Sequence, residues 1–161
     1  MKNLKILNSK EAKEIFAALK EQFGADYTKL LKKYGILINH ENKIFIVNRE
    51  FGMLDTSKVR INSLGMYIGE FYNGQLRTSI EGSQLLGKAA TKNVFELSKE
   101  QEREWLRGKD LFMEHENTGF LIMKCKNTIA GDSEDFLGAG KFKDGKLMNF
   151  VSKNRRISSS D

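Results

Sequence analysis

Two apolar runs joined by a short turn near the C-terminus constrain the fold of this chain more than any other feature. The runs cover Phe136–Phe142 and Lys146–Val151, and residues 143–145 connect them. A short glycine-containing connection between apolar runs predicts a β-hairpin. Gly138 and Gly140 alternate along the first run, where an absent side chain indicates a bulge, a bend or the close approach of another backbone. The sequence therefore predicts an antiparallel sheet in this part of the chain.

Positive charge is concentrated in the same stretch. Between Leu137 and Ile157, six basic residues stand against one acid, Asp144, so this stretch supplies +5 of the chain's net charge of +6. Basic residues that alternate with apolar ones on a hairpin lie on one face, opposite the core. Such a face, followed by the Lys-Asn-Arg-Arg cluster at 153–156, is typical of proteins that contact phosphate backbones. It is also what an ordinary solvated surface shows, because Lys and Arg are mostly exposed in any protein. The six basic residues are Lys141, Lys143, Lys146, Lys153, Arg155 and Arg156.

Length and composition indicate a soluble globular chain of one ordinary domain or two small ones. Its 161 residues are 40% hydrophobic and 30% charged, and no apolar run approaches the roughly 20 residues that span a bilayer. The N-terminus lacks the apolar core of a signal peptide. A single cysteine, Cys125, excludes an internal disulfide and a cysteine-based metal cluster. We therefore expect a cytoplasmic protein without membrane association, metal site or cofactor.

The first half of the chain reads as a compact α+β unit that ends near Gly87. A capping box at Asn8 begins a helix that Gly24 ends, and an Asn-Gly pair at 73–74 predicts a tight hairpin. Gly65 and Gly69 lie inside a predicted strand that a hairpin follows, so they do not form a nucleotide-binding loop. The further predictions are a hairpin around 40–42, a turn or short helix over 51–58, a long strand over 60–72, a return strand over 75–78, and a helix capped by Thr78 and Glu81.

A short link at 88–92 leads into the second half. Ser98 and Gln101 form a capping box for a helix that Gly108 ends. A strand over 93–97 precedes this helix, a buried strand over 119–125 that contains an inert Cys125 follows it, and residues 127–135 form a polar loop.

Several of these motifs resemble those of known RNA-binding domains. The pattern Leu137-Gly-x-Gly-Lys141, followed after a hairpin by Leu147-x-Asn149, and the earlier run Leu106-Arg-Gly-Lys-Asp-Leu111 resemble PUA domains. The nearest likeness is to those of Nop/Sun-type RNA cytosine methyltransferases and of ribosome-biogenesis factors of the Nip-seven family. Upstream, the spacing of Gly65, Gly69, the Asn-Gly turn and Thr78 resembles the pre-PUA domain of the latter. The resemblance implies an α+β fold, with an α/β pre-PUA-like domain at 1–88, a PUA-like β pseudo-barrel at 92–157 and a frayed tail at 158–161.

The resemblance also implies a function, because PUA domains bind structured RNA. In that family the turn after the first helix lies beside the last strand, and RNA docks across the two. We therefore predict a non-catalytic protein that binds ribosomal or transfer RNA in ribosome biogenesis or RNA modification, and whose N-terminal domain can meet a protein assembly factor. The predicted RNA-binding residues are Arg107, Lys109, Lys141, Lys143, Asn149, Lys153, Arg155 and Arg156.

Two other functions remain open at this point. The basic face could meet an acidic protein partner, which makes the chain a protein-interaction module. An RNA-modifying enzyme would need an acid, a base or a nucleophile with a partner; Asp55, Glu70 and His40 are available, although no spacing connects them. Arg107 and Lys109 also flank a helix C-terminus, where the helix dipole favours cations without any RNA.

Overall fold

The computed structural model describes residues 4–53, 64–127 and 133–158 as two antiparallel-rich sheets, each with its own core. The first sheet is a meander in which each strand pairs with the next one along the chain. Its elements are β1 (Lys5–Ile6), α1 (Ser9–Phe23), α2 (Leu30–Lys33), β2 (Tyr34–Ile38), β3 (Lys43–Asn48), β4 (Met66–Tyr72), β5 (Gln75–Thr78) and α3 (Ile80–Leu86).

Helix α1 has the ends that the sequence predicts. The Asn8 side chain accepts a hydrogen bond from the Glu11 backbone N–H, and Glu11 bonds back to the Asn8 N–H, so the capping box is complete. Gly24 ends the helix in the left-handed conformation, at φ 77°. The apolar stripe of α1 is buried in the first core through Phe16, Leu19 and Phe23.

The second sheet contains the predicted C-terminal hairpin. Its strands lie in the order β6-β8-β9-β10-β7, with β6 parallel to β8 and the remaining pairs antiparallel. Trp105 of α4 is fully buried in the core on one side of this sheet. The elements are β6 (Val94–Glu96), α4 (Lys99–Leu106), β7 (Leu111–Phe112), β8 (Phe120–Asn127), β9 (Ser133–Lys143) and β10 (Lys146–Asn149), and a short 3-10 helix covers Lys153–Arg155.

Most local predictions are confirmed, including all three hairpins, the Ser98–Gln101 capping box and the close approach at Gly140. A Cβ on Gly140 would lie 2.9 Å from both Leu147 Cδ1 and Trp105 Cη2. The predicted α+β class is also confirmed by the two sheets and their helices.

Two local predictions are wrong. Thr78 does not cap α3, because it is the buried last residue of β5 and pairs with Gly69; Ser79 is the cap and accepts from the Gly82 N–H at 3.0 Å. Residues 133–135 belong to β9 and not to a loop, since they pair with the end of β8.

Three other predictions fall partly outside the described residues. The turn at 51–58 is described only as the end of a 3-10 helix over Arg49–Met53. The strand at 60–72 is described from Met66 onward, and the loop at 127–135 is described only at its two ends. The domain boundary at 88–92 stays a prediction.

Two glutamine side chains join the sheets, and we call Gln22 and Gln75 the glutamine bridge. Gln22 Oε1 accepts from the Leu76 N–H at 2.7 Å, while its Nε2 donates to the Leu76 carbonyl at 3.0 Å and to the Phe120 carbonyl at 3.3 Å. Gln75 Oε1 accepts from the Phe120 N–H at 3.0 Å. The outward-facing backbone groups of β5 and the start of β8 are thus satisfied by side chains that span the two domains.

A serine and shared apolar residues strengthen this contact. Ser83 of α3 is fully buried, and its Oγ accepts from the Gly138 N–H of β9 at 2.9 Å. Ile122 and Phe136, on strands of the second sheet, pack into the core of the first domain. The domains therefore meet through a buried, hydrogen-bonded interface.

Candidate nucleic-acid interface

The C-terminal tail lies on the turn that follows α4. Gly108 adopts φ 84° there, and a Cβ at this position would lie 2.2 Å from Arg156 Nε. Only glycine leaves room for Arg156 at that distance. The tail is held in place because Arg156 Nε donates to the Val151 carbonyl at 3.1 Å and the Ile157 N–H donates to the Leu106 carbonyl at 2.9 Å.

This arrangement brings five of the predicted residues onto two neighbouring segments, the turn after α4 and the tail. Arg107 and Lys109 flank the glycine turn, and the exposed 3-10 helix and the residue after it supply the other three cations. We call these two segments the basic ridge, whose cations are Arg107, Lys109, Lys153, Arg155 and Arg156.

The Asn149 side chain holds the turn after α4 and the start of the tail in place through hydrogen bonds. Its Nδ2 donates to the Trp105 carbonyl at 2.7 Å and to the Lys109 carbonyl at 3.0 Å, and its Oδ1 accepts from the Val151 N–H at 2.8 Å. Both amide hydrogens are therefore committed to the fold. The structure makes Asn149 a positioning residue, and its predicted contact with RNA stays a prediction.

Carboxylates partly neutralise the ridge. Glu104 Oε2 lies 2.7 Å from Lys109 Nζ, and Glu104 Oε1 lies 3.4 Å from Arg107 Nη1. The hydrogen bond from Lys109, with the charges of both cations, holds the pKa of Glu104 below its usual value. Lys153 forms no ion pair with any residue in the described part of the chain. The count of basic residues thus overstates the charge that the ridge presents.

Arg155 connects the ridge to the other domain. Its Nη2 lies 2.5 Å from Glu81 Oε1 at the start of α3. This ion pair borders a cleft of about 530 Å³ between the domains, which residues of β4, β5, α3 and the tail line.

Lys141 and Lys143 lie on a different surface. Gly140 and Phe142 face the core around Trp105, so the alternating lysines point to the opposite face of the sheet. The predicted RNA-binding residues are therefore divided between two surfaces, the ridge and this face.

Glu70 is the described acid that the enzyme hypothesis would use, and it is committed to the fold. Its carboxylate pairs with Arg77 Nη2 at 2.8 Å and accepts hydrogen bonds from the hydroxyls of Tyr67 and Tyr72. Burial works to raise its pKa, but the bond from Tyr72 and the charge of Arg77 outweigh that effect and lower it. His40 lies in the exposed turn between β2 and β3, and Asp55 lies outside the described residues.

Cys125 is the buried core residue that the sequence predicts. Burial raises the pKa of its thiol to about 12, so the reactive thiolate is scarce at neutral pH.

Within 4–53, 64–127 and 133–158, no group of three or more His, Cys, Asp and Glu residues is placed to hold a metal ion. None of the helices described there combines the length and apolarity needed to cross a membrane.

Comparison with known proteins identifies both domains. Residues 4–80 match the family described as NIP7/UPF0113, pre-PUA domain, and residues 92–157 match the methyltransferase RsmF PUA domain. The chain is also similar to the ribosomal RNA small subunit methyltransferase F of Aeromonas salmonicida, with 26% identity over 144 residues. That match covers 89% of this chain but only 27% of the relative, so the chain spans about a quarter of the relative's length. The predicted resemblance is confirmed: the chain carries a pre-PUA domain of the NIP7/UPF0113 kind followed by a PUA domain of the methyltransferase RsmF kind.

Proposed function

We propose that this chain docks structured RNA, ribosomal RNA in the first place, on the basic ridge of its PUA domain and catalyses no reaction with its own residues. It would serve ribosome assembly or rRNA modification in the cytoplasm. The observation that carries the proposal is that Arg156 lies over Gly108 while the Ile157 N–H donates to the Leu106 carbonyl, which holds the tail against the α4 turn.

Because the tail is held in place, its arginine side chains are positioned before any RNA binds. An arginine that is already held loses little conformational freedom when it binds a phosphate, so more of the interaction energy appears as affinity. Arg156 is held through Val151, and Arg155 through Glu81. Lys153, which has no ion partner among the described residues, can meet a phosphate without first breaking a salt bridge.

The similarity to a methyltransferase supports RNA binding and not catalysis by this chain. The family that matches at 92–157 is described as a PUA domain, and the matched part is about a quarter of the relative. We propose that this part delivers RNA and that any chemistry belongs to other polypeptide regions or proteins. The pre-PUA domain would meet a protein assembly factor, and Ile6, 71% exposed on the edge strand β1, is a candidate contact.

Fluorescence anisotropy tests the proposal. A labelled RNA hairpin and a DNA duplex of matched length are titrated at several salt concentrations with the wild type and with a Lys153, Arg155 and Arg156 triple alanine variant. We expect RNA preference and a salt slope that reports ~3–5 phosphate contacts, with about two to three of them lost in the variant.

A matched variant separates the ridge from bulk charge. Lys10, Lys13 and Lys20 are exposed on α1 in the other domain, and their replacement by alanine removes the same charge. The proposal fails if this variant loses as much affinity as the ridge variant, or if RNA and DNA bind equally weakly and neither variant matters. Nuclease-resistant association with an acidic protein, lost in the ridge variant, would favour the protein-interaction alternative.

A further inference from the structure

The face of the C-terminal sheet opposite Trp105 combines lysines with one exposed apolar side chain, Phe112, and two half-buried ones, Phe120 and Met148. Phe112 of the edge strand β7 is 90% exposed. It pairs across the strands with Lys146, which in turn pairs with Lys143 of β9. Directly paired residues of antiparallel strands share one face, so these three side chains form a row from the sheet edge inward.

A second row lies beside the first. Met148 of β10 pairs with Lys141 of β9, which pairs with Phe120 of β8. Lys141 Nζ lies 5.0 Å from the centre of the Phe120 ring, within the range of a cation–π contact. We call the two rows the outer sheet face; its members are Phe112, Phe120, Lys141, Lys143, Lys146 and Met148.

The face is continuous with the basic ridge. The chain passes from Lys109, through Asp110, into β7, so Phe112 lies within about 10 Å of Lys109 along the chain. The Asp110 carboxylate accepts from the Asn149 N–H at 2.8 Å and lies 3.5 Å from Lys146 Nζ. Glu114 lies near the adjacent turn, so the face carries acids as well as its three lysines.

We propose that the outer sheet face binds an unpaired segment of the RNA that the ridge docks, with Phe112 stacked on a base and the lysines on the flanking phosphates. This inference rests on the proposed function and adds a second contact surface to it. An exposed aromatic ring beside cations is an arrangement by which single-stranded RNA is bound, because an unpaired base offers its ring face and a paired base does not. A protein partner is disfavoured by the same composition, since lysine is depleted in the centres of protein interfaces.

A paired comparison of RNAs tests the inference. Wild type and Phe112→Ala are titrated with a short labelled oligouridylate, with an abasic oligomer of the same length and with a blunt-ended, fully paired RNA duplex. Stacking is worth about fivefold to a hundredfold in affinity per base. We therefore expect Phe112→Ala to weaken oligouridylate binding by at least about fivefold while it leaves the duplex affinity and both salt slopes unchanged. Phe112→Trp should retain the affinity for oligouridylate.

Controls make the outcomes distinct. Ile6→Ala, on the edge strand of the other sheet, removes an exposed apolar side chain of similar accessibility and should change nothing. The inference is overturned if Phe112→Ala has no effect, if it weakens binding of the paired duplex equally, or if the abasic oligomer binds as well as oligouridylate. If the hairpin binds through the ridge and only the Phe112 effect is missing, this inference alone fails. If the wild type shows no preference for RNA over DNA, both this inference and the proposed function fail.

Discussion

Replacement of Gln22 by methionine should reveal whether the two domains fold as one unit. Gln22 is 6% exposed, and its side chain satisfies the N–H and the carbonyl of Leu76 on the edge of β5. Methionine has nearly the same length but cannot bond to either group. A buried backbone group left without a partner costs about 1–3 kcal/mol. Two such groups lead us to expect a loss of about 2–6 kcal/mol, or about 5–20 °C in Tm for a chain of this size.

Urea unfolding followed by two signals measures this loss. Trp105, the single tryptophan, reports on the PUA core, whereas far-UV circular dichroism reports on the whole chain. Because Gln22 lies in the other domain but also contacts the Phe120 carbonyl, the tryptophan midpoint should fall together with the dichroism midpoint. Gln84→Met is the matched control, since Gln84 is exposed on α3 and should shift stability by less than about 0.5 kcal/mol. An unchanged tryptophan transition beside a shifted dichroism signal would refute the single-unit reasoning.

Three further predictions concern Glu70, Thr78 and Cys125. Burial works to raise the pKa of Glu70, but the hydrogen bond from Tyr72 and the charge of Arg77 lower it below its usual value of 4.5. The Glu70 carboxylate therefore stabilises the fold above that pH, and this contribution is lost as the pH falls. Glu70→Gln should accordingly reduce the loss of folding stability at acid pH in a stability-versus-pH curve. Thr78 Oγ1 is buried with no hydrogen-bond partner in the described structure, so Thr78→Val should raise the free energy of unfolding by about 1 kcal/mol in a urea titration; a decrease would show that the hydroxyl is bonded. Iodoacetamide should alkylate Cys125 at pH 8 only after unfolding, as mass spectrometry of the native and urea-treated protein would show, because burial raises the pKa of the folded thiol to about 12.

Helix ends and turns were predictable from the sequence because their chemistry is local. The Asn8 and Ser98 caps each bond to a residue three positions away, and Gly24 ends its helix through its own backbone freedom. The wrong cap predicted for α3 also has a physical cause. Thr78 and Ser79 are both good cap residues, and the pairing of β5 with β4 decides between them.

The candidate site was predictable in composition but not in arrangement. Charge counting finds the ridge lysines and arginines, but it does not show that Glu104 neutralises two of them or that Asn149 is committed to carbonyl groups about 40 positions away. Gln22 acts on residues more than 50 positions away, which no local pattern indicates. The exposure of Phe112 did have a signal, because adjacent residues of a strand point to opposite faces and Leu111 occupies the core.

The glutamine bridge has a consequence for how this protein can be divided. The edge strand of a sheet usually has unpaired backbone N–H and C=O groups that can pair with strands of other molecules. In this protein the Gln22 side chain hydrogen-bonds to these groups on the outer edge of β5, and the Gln75 side chain does so at the start of β8. A PUA domain expressed without its N-terminal neighbour would lose the Gln75 bond to Phe120, and the isolated neighbour would expose its packing face for Ile122 and Phe136. We expect each half to aggregate or to form swapped dimers. The two domains are therefore expected to behave as one unit, which would hold a ligand of the first domain at a fixed distance from the RNA that we propose the second domain binds.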